Sequence, residues 1–355
     1  MAYSFIPTDH ALAVKKWEAK LNSEYLDHTF WMKFAGMGDT NIIDVKEDLT
    51  KSKGDRVKFG IRSEIQGGRV SGANQGVGNE GSIEYYDFFV DVDEERQLVK
   101  KEHTVISNQR VAFELMADVR PALTDKNRFN LDDDITTAMT TIGTERVRGR
   151  YLYGVTDTNW DATHSTALAN IDGSNDKMQV TMVEDAKIKA KVPTVAHSKI
   201  RPYQVKSGPQ MGIQEWYVML MHTYNARDLV RHDAAWKNAQ LNIPPQTNMT
   251  SPIFTGSSFK GAWDGVLLYE WERIPLISST IVVSHCLFLG AQAGCLAWAM
   301  HPKFGYESQD IGHTQIFETD EIRGVKKVVW DRNSVNGGIN NEDNAVINVF
   351  AAAVA

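Results

Sequence analysis

"GDRVKFGIRSEIQGGRVSGANQGVGNEGSIEYYDFFVDVD" spans residues 54–93. Both ends alternate apolar and polar residues, the period of a β-strand with one face shielded. Val57, Phe59 and Ile61 share a face of the first run, and Tyr86, Phe88, Val90 and Val92 share a face of the second. A reversal near residues 73 and 74 sets Val57 opposite Val90, Phe59 opposite Phe88 and Ile61 opposite Tyr86. The other face then carries Arg56, Lys58 and Arg62 on one strand and Asp87, Asp91 and Asp93 on its partner. Opposite charges across a strand pair contribute about 0.2–1 kcal/mol each. The reversal falls in residues 66–82, where six of seventeen residues are glycine, against 26 in the whole chain of 355. Those six are Gly67, Gly68, Gly72, Gly76, Gly78 and Gly81. The pattern is a long two-stranded arm with a glycine-rich tip.

A lone two-stranded arm is marginal in water, so this one must lie on something, and the simplest support is its own domain. A phosphate-binding loop does not fit Gly76-Val77-Gly78-Asn79-Glu80-Gly81: no Lys-Ser or Lys-Thr follows, and a strand rather than a helix start flanks it.

The chain is long enough for one elaborate domain or two ordinary ones. Its hydrophobic content of 42% and charged content of 23% are those of a globular protein. A net charge of −7 argues against a strong sequence-independent grip on nucleic acid. Cys286 and Cys295 lie in an apolar, helix-like stretch, nine residues apart and so on opposite sides of a helix. That spacing supports neither a disulfide framework nor a zinc site, and the expected compartment of assembly is reducing. The start of the chain carries no basic, apolar leader, and no run approaches 18 apolar residues.

Along the chain, Ala11–Leu26 and Phe30–Ala35 read as short helices. Asn108–Arg120 reads as a helix stopped by Pro121. Asp132, Asp133 and Asp134 stand before the apolar series Ile135, Ala138, Met139 and Ile142, which marks an amphipathic helix running to Tyr153 and stopped by Gly154. Val180–Ala190 and Ala226–Leu241 read as helices, and Glu215–Met221 and Val266–Trp271 as strands. Pro244, Pro245 and Pro252 enclose a loop. Cys286–Met300 is a buried Ala/Leu/Gly-rich segment. Val325–Trp330 and Ala345–Phe350 are expected to pair as the last two strands, joined by an Asn/Gly-rich loop. The class is mixed α+β.

Candidate chemistry is sparse. Asp228 and His232, four residues apart beside His222, share a helix face as metal ligands can, but no His-Glu-x-x-His signature accompanies them. Ser284-His285-Cys286 is contiguous, so strand geometry turns neighbours to opposite faces. Glu270 and Glu272 alternate on a strand and could form a carboxylate pair as in a glycosidase. Arg146, Arg148 and Arg150 could touch phosphates or form a solvated or subunit-facing surface. The expectation is no catalytic residue, no cofactor and no bound metal.

The order of parts carries more information than any motif. An N-terminal segment, a long charged hairpin, a long helix ending in "LYGVTD" and a mixed domain closed by a strand pair resemble the tailed-phage major capsid fold, the Hong Kong 97 fold. Within it the chain is similar to the major capsid proteins of N-four-like podophages. The matching stretches are "GDRVKF" (54–59), "GNEGSIEYYDFFVDVDEERQLV" (78–99), "EWYVMLMHTYNARDLVRHDAAW" (215–236), "SPIFTGSSFKGAWDGVLLYEWERIPL" (251–276) and "LFLGAQA" (287–293).

The resemblance implies an N-terminal arm over 1–53 and an E-loop hairpin over 54–100. It implies a peripheral (P) domain over 101–179 with a spine helix at 132–154, an axial (A) domain over 180–320, and strands over 321–355 returning to the P domain. It further implies hexamers and pentamers in an icosahedral shell around double-stranded DNA, assembled in the host cytoplasm. The expected partners are copies of the chain, a separate scaffolding protein and a portal, with a decoration protein left open, DNA contacted weakly and no membrane. The arm would lie across a neighbouring subunit, with Arg56, Lys58, Arg62, Asp87, Asp91 and Asp93 at the contact. Two rivals stay open at this point: an encapsulin-like protein compartment, and a soluble hydrolase built on Asp228/His232 or Glu270/Glu272.

Overall fold

The computed structural model describes residues 29–50, 53–62, 71–72, 85–102, 119–143, 146–194, 197–206, 213–242, 258–310, 313–330 and 342–354. The expected helix over Ala11–Leu26, most of that over Asn108–Arg120, the proline loop and the Asn/Gly-rich loop lie outside the described residues.

A large sheet forms the main core. Its central path runs β6 (Tyr151–Tyr153), β17 (Val346–Ala352), β12 (Val282–Leu289), β8 (Ile213–Met221), β10 (Val266–Glu270) and β9 (Phe259–Trp263). β11 (Leu276–Ser278) adds to β12, and β7 (Tyr203–Lys206) to β8. All seven residues of β17 are buried, and so are seven of the eight in β12. Strands buried along nearly their whole length are covered on both faces. After the short helix α2 (His164–Ala169), helix α3 (Val180–Lys191) contributes Met182, Val183 and Ala186 to the same core.

The second sheet is narrower: β1 (Ala35–Gly36), β2 (Ile43–Lys46), β13 (Gly294–Gln309), β14 (Thr314–Lys327) and β5 (Asp93–Lys101), in that order. One face is covered by α1 (Val119–Thr140), the longest described helix, whose 22 residues span about 33 Å at 1.5 Å each. Leu123 meets Phe317 there, and Asn127 accepts a hydrogen bond from the Thr319 hydroxyl at 3.2 Å.

Several sequence expectations are corrected. The long helix is residues 119–140, not 132–154. Pro121 does not stop a helix: residues on both sides of it, from Val119 to Thr140, are helical. Asp132, Asp133 and Asp134 are mid-helix, and each has a tertiary partner. Buried Asp132 accepts the Phe30 and Trp31 amides, both at 3.3 Å. Asp133 pairs with Arg273, and Asp134 with Arg323 at 2.5 Å. The Cys286–Met300 stretch is not helical but the end of β12 and the start of β13; a fully buried strand has no alternation to reveal it. The helix expected over Ala226–Leu241 breaks at Asp233 into α4 (Thr223–His232) and α5 (Ala234–Asn242). The Asp233 carboxylate accepts the amides of Ala235 and Trp236 and so starts the second helix. The last strands do not pair with each other: β17 lies between β12 and β6, while β15 (Val329–Trp330) pairs with β16 (Glu342–Asp343). The boundary drawn at residue 320 falls inside β14.

Candidate subunit-interface arm

β3 (Arg56–Arg62) and β4 (Tyr85–Asp91) pair antiparallel in the expected register: Val57 with Val90, Phe59 with Phe88, Ile61 with Tyr86. The apolar face is not a projecting surface. Val57, Phe59, Ile61, Phe88 and Val90 are buried in one cluster with Cys295, Ala297 and Val328. The arm's base is therefore seated on the chain's own narrow sheet. Lys46 reaches over the seat, with Nζ 4.8 Å from the Phe59 ring centre and 2.8 Å from the Lys58 carbonyl, to which it donates. Gly324 makes the close approach possible: a Cβ there would lie 2.1 Å from the Asp91 carbonyl oxygen. Nothing local in the sequence marks Cys295, Ala297 or Val328 as the seat. An isolated glycine within a strand pattern, as at Gly324, is the one available signal of a close backbone approach.

The outer face carries the charges. Arg56 pairs with Asp91 at 2.5 Å, and Lys58 pairs with Asp87. Between the two cations lies Phe89, 5.5 Å from Arg56 and 5.8 Å from Lys58. Phe89 is 39% exposed and Tyr85, further along, 71%. Asp93 is corrected: it opens β5, opposite Arg323 in register, because the chain breaks step at Val92. Arg62 ends β3 opposite Tyr85. Gly72 has a φ of +68°, a conformation that favours glycine. Gly67, Gly68, Gly76, Gly78 and Gly81 lie outside the described residues.

The catalytic candidates are not brought together. His222 caps α4, its Nδ1 accepting the Tyr224 amide at 3.2 Å. Asp228 is buried and pairs with its neighbour Arg227 at 2.8 Å. His232 contacts Lys177 instead, at 3.4 Å. Among the described residues no three His, Cys, Asp or Glu side chains are grouped to hold a metal. Glu270 pairs with Lys260. Burial works to raise its pKa, but Lys260, Thr223 and His222 together hold it below the usual carboxylate range, which does not suit a proton donor. Glu272 is exposed. His285 is buried and bonded to Asn348 at 2.9 Å; desolvation pushes its pKa down to about 3, so it is neutral. Burial pushes the Cys286 thiol up to about 11, away from reactivity. The three arginines are not one open surface. Arg146 donates to the Tyr153 hydroxyl at 2.6 Å and to the Asp161 carbonyl at 3.0 Å. Arg148 pairs with Asp157 at 2.8 Å. Arg150 is fully buried against Glu342 at 2.7 Å.

What the structure holds is thus a seated, charged arm on a two-sheet α+β body, with no assembled catalytic set among the described residues. The sequence pattern of a family described as phage capsid protein matches residues 6–355. The chain belongs to the phage capsid protein family. Its fold agrees. The capsid protein of Ralstonia phage GP4 superposes with a TM-score of 0.73 at 20% identity, over 92% of each chain. That of Cyanophage Pam1 gives 0.73 at 22% identity, over 100% of this chain and 99% of the other. The capsid of Helicobacter pylori bacteriophage KHP30 gives 0.68 at 16% identity, over 91% and 90%. No curated protein matches the chain. The expected fold class, mixed α+β in a phage capsid fold, is borne out, and so is the expected function as a major capsid subunit of a phage head. The capsid subunit belongs to the virion shell, and no described helix is long and apolar enough to cross a membrane.

Proposed function

We propose that this major capsid subunit assembles with copies of itself, as hexamers and pentamers, into an icosahedral shell of the Hong Kong 97 type around double-stranded DNA. The observation that carries the reading is the arm. Its inner face is fixed to the subunit's own sheet, while its outer face leaves Tyr85, Phe89 and the ion pairs Arg56–Asp91 and Lys58–Asp87 in water. Exposed aromatics rimmed by charge mark a surface made for another protein. Arg56, Lys58, Arg62, Asp87 and Asp91 then act at the contact with a neighbouring subunit, beside the glycine-rich tip. Asp93, at the head of β5, acts from the adjoining strand.

The net charge of −7 suits a lining that faces DNA without gripping it. Stability comes from many weak contacts repeated around the shell, with no catalysis, cofactor or metal required. Scaffold, portal and decoration proteins would be separate chains, with assembly in the host cytoplasm. The test is electron microscopy of the purified chain, alone and with its scaffold. Capsid-sized closed particles holding nucleic acid when packaging is reconstituted support the reading. A chain that stays monomeric at high concentration contradicts it, and particles that fill with protein cargo instead would favour a cellular compartment.

A further inference from the structure

β5 pairs with β14 along its whole length, from Asp93 opposite Arg323 to Lys101 opposite Gln315. It ends the narrow sheet, and among the described residues no strand pairs with its outer side. A nine-residue edge is a long row of backbone donors and acceptors, a template for another strand. Leu98, next to its middle residue, is 50% exposed. At its start the Glu94 amide donates to the Asp93 carboxylate at 2.8 Å.

The sequence of this edge, DEERQLVKK, is acidic at one end and basic at the other. We propose that β5 pairs antiparallel with β5 of a second copy of the chain, about a two-fold axis through Gln97. The proposal rests on the self-assembly reading and names one of its contacts.

Three registers keep the two sheet faces continuous near the middle of the strand, because a two-fold axis normal to the sheet sets same-face residues opposite each other. Centred on Gln97, Glu94 meets Lys100 of the second copy and Asp93 meets Lys101, at both ends of the contact. Leu98 lies against the stem of Arg96. Centred on Arg96, that arginine meets itself. Centred on Leu98, Glu94 meets Glu102 and Arg96 meets Lys100. Like charges directly opposite are destabilising, so the charges select Gln97.

Two sets of variants test this. In the proposed register the Gln97 Cα atoms of two copies lie about 4.5–5.5 Å apart, within disulfide reach. The native Cys286 and Cys295 are buried and do not compete. Mild oxidation of assembled Gln97→Cys shells should give a covalent dimer on a denaturing gel, and Leu98→Cys shells much less. Glu94→Lys or Lys100→Glu alone replaces two attractions with two repulsions per contact and should weaken it roughly tenfold or more. The double variant Glu94→Lys/Lys100→Glu restores the pairing and should assemble almost as the wild type does, read by sedimentation. Normal shells without the Gln97→Cys dimer, or without rescue by the double variant, overturn this contact alone. A wild-type chain that forms no assembly overturns both this contact and the reading on which it rests.

Discussion

Phe59→Ala separates a seated arm from a projecting one. Phe59 is 1% exposed in the subunit alone, packed with Val57, Phe88, Val90, Cys295, Ala297 and Val328. Truncating a buried phenylalanine costs about 3–5 kcal/mol, the lost transfer energy plus the cavity left behind. That is a large share of a domain's usual total of roughly 5–15 kcal/mol. An arm that projected into solvent would lose almost nothing. The natural control is Asp91→Ala, which removes an exposed ion pair with Arg56 and should cost no more than about 1 kcal/mol. Guanidinium unfolding of the unassembled subunit, followed by the fluorescence of its nine tryptophans, reads both. A Phe59→Ala midpoint as close to wild type as that of Asp91→Ala would refute the seat. A clear loss for Phe59→Ala together with a near-native Asp91→Ala supports it.

Three further outcomes follow from the buried groups. His285 has a folded pKa of about 3 against about 6.5 unfolded, so its neutral burial contributes stability above pH 6.5 that is lost as pH falls toward 3. The loss reaches about 2 kcal/mol by pH 5. Asp132 works the other way, since burial raises it to about 6 and its contribution grows as pH falls through 6 toward 4; His285→Gln should therefore flatten the acid loss in thermal melts across pH 7 to 4. Glu342→Gln leaves Arg150 buried without its carboxylate and should cost about 3–5 kcal/mol, whereas Arg148→Met, which breaks the exposed pair with Asp157, should cost under about 1 kcal/mol in the same unfolding assay. His222, Asp228 and His232 form no three-ligand group among the described residues, so elemental analysis should find no stoichiometric zinc, manganese or calcium, and a metal lost on His232→Ala would contradict that.

The arm was legible because its strands are half-buried. Alternation exposes both the face and the register, and each pair from Val57–Val90 to Ile61–Tyr86 follows from it. The same rule hid β12 and β13, whose contiguous buried runs have no period that separates strand from helix. The acidic triplet at 132–134 imitates a helix start, yet its partners Phe30, Trp31, Arg273 and Arg323 come from distant parts of the chain. Pro121 imitates a stop as well, yet the chain is helical on both sides of it. The face on which the arm rests was illegible altogether: Cys295, Ala297 and Val328 lie more than 200 residues away in sequence. The charge gradient of β5 was visible in the sequence, but it acquires meaning only once β14 occupies one side of that strand and leaves the other as the edge of the sheet.

Cryo-electron microscopy of particles assembled from the purified chain would show whether and how the subunits close into a shell. The expected result is a closed icosahedral shell of hexamers and pentamers, each subunit carrying this two-sheet fold, with the outer face of the β3–β4 arm covered by a neighbour while Phe59 stays against its own sheet. A preparation that yields only monomers or small discrete oligomers under assembly conditions, or shells in which Tyr85 and Phe89 face open solvent, would contradict it.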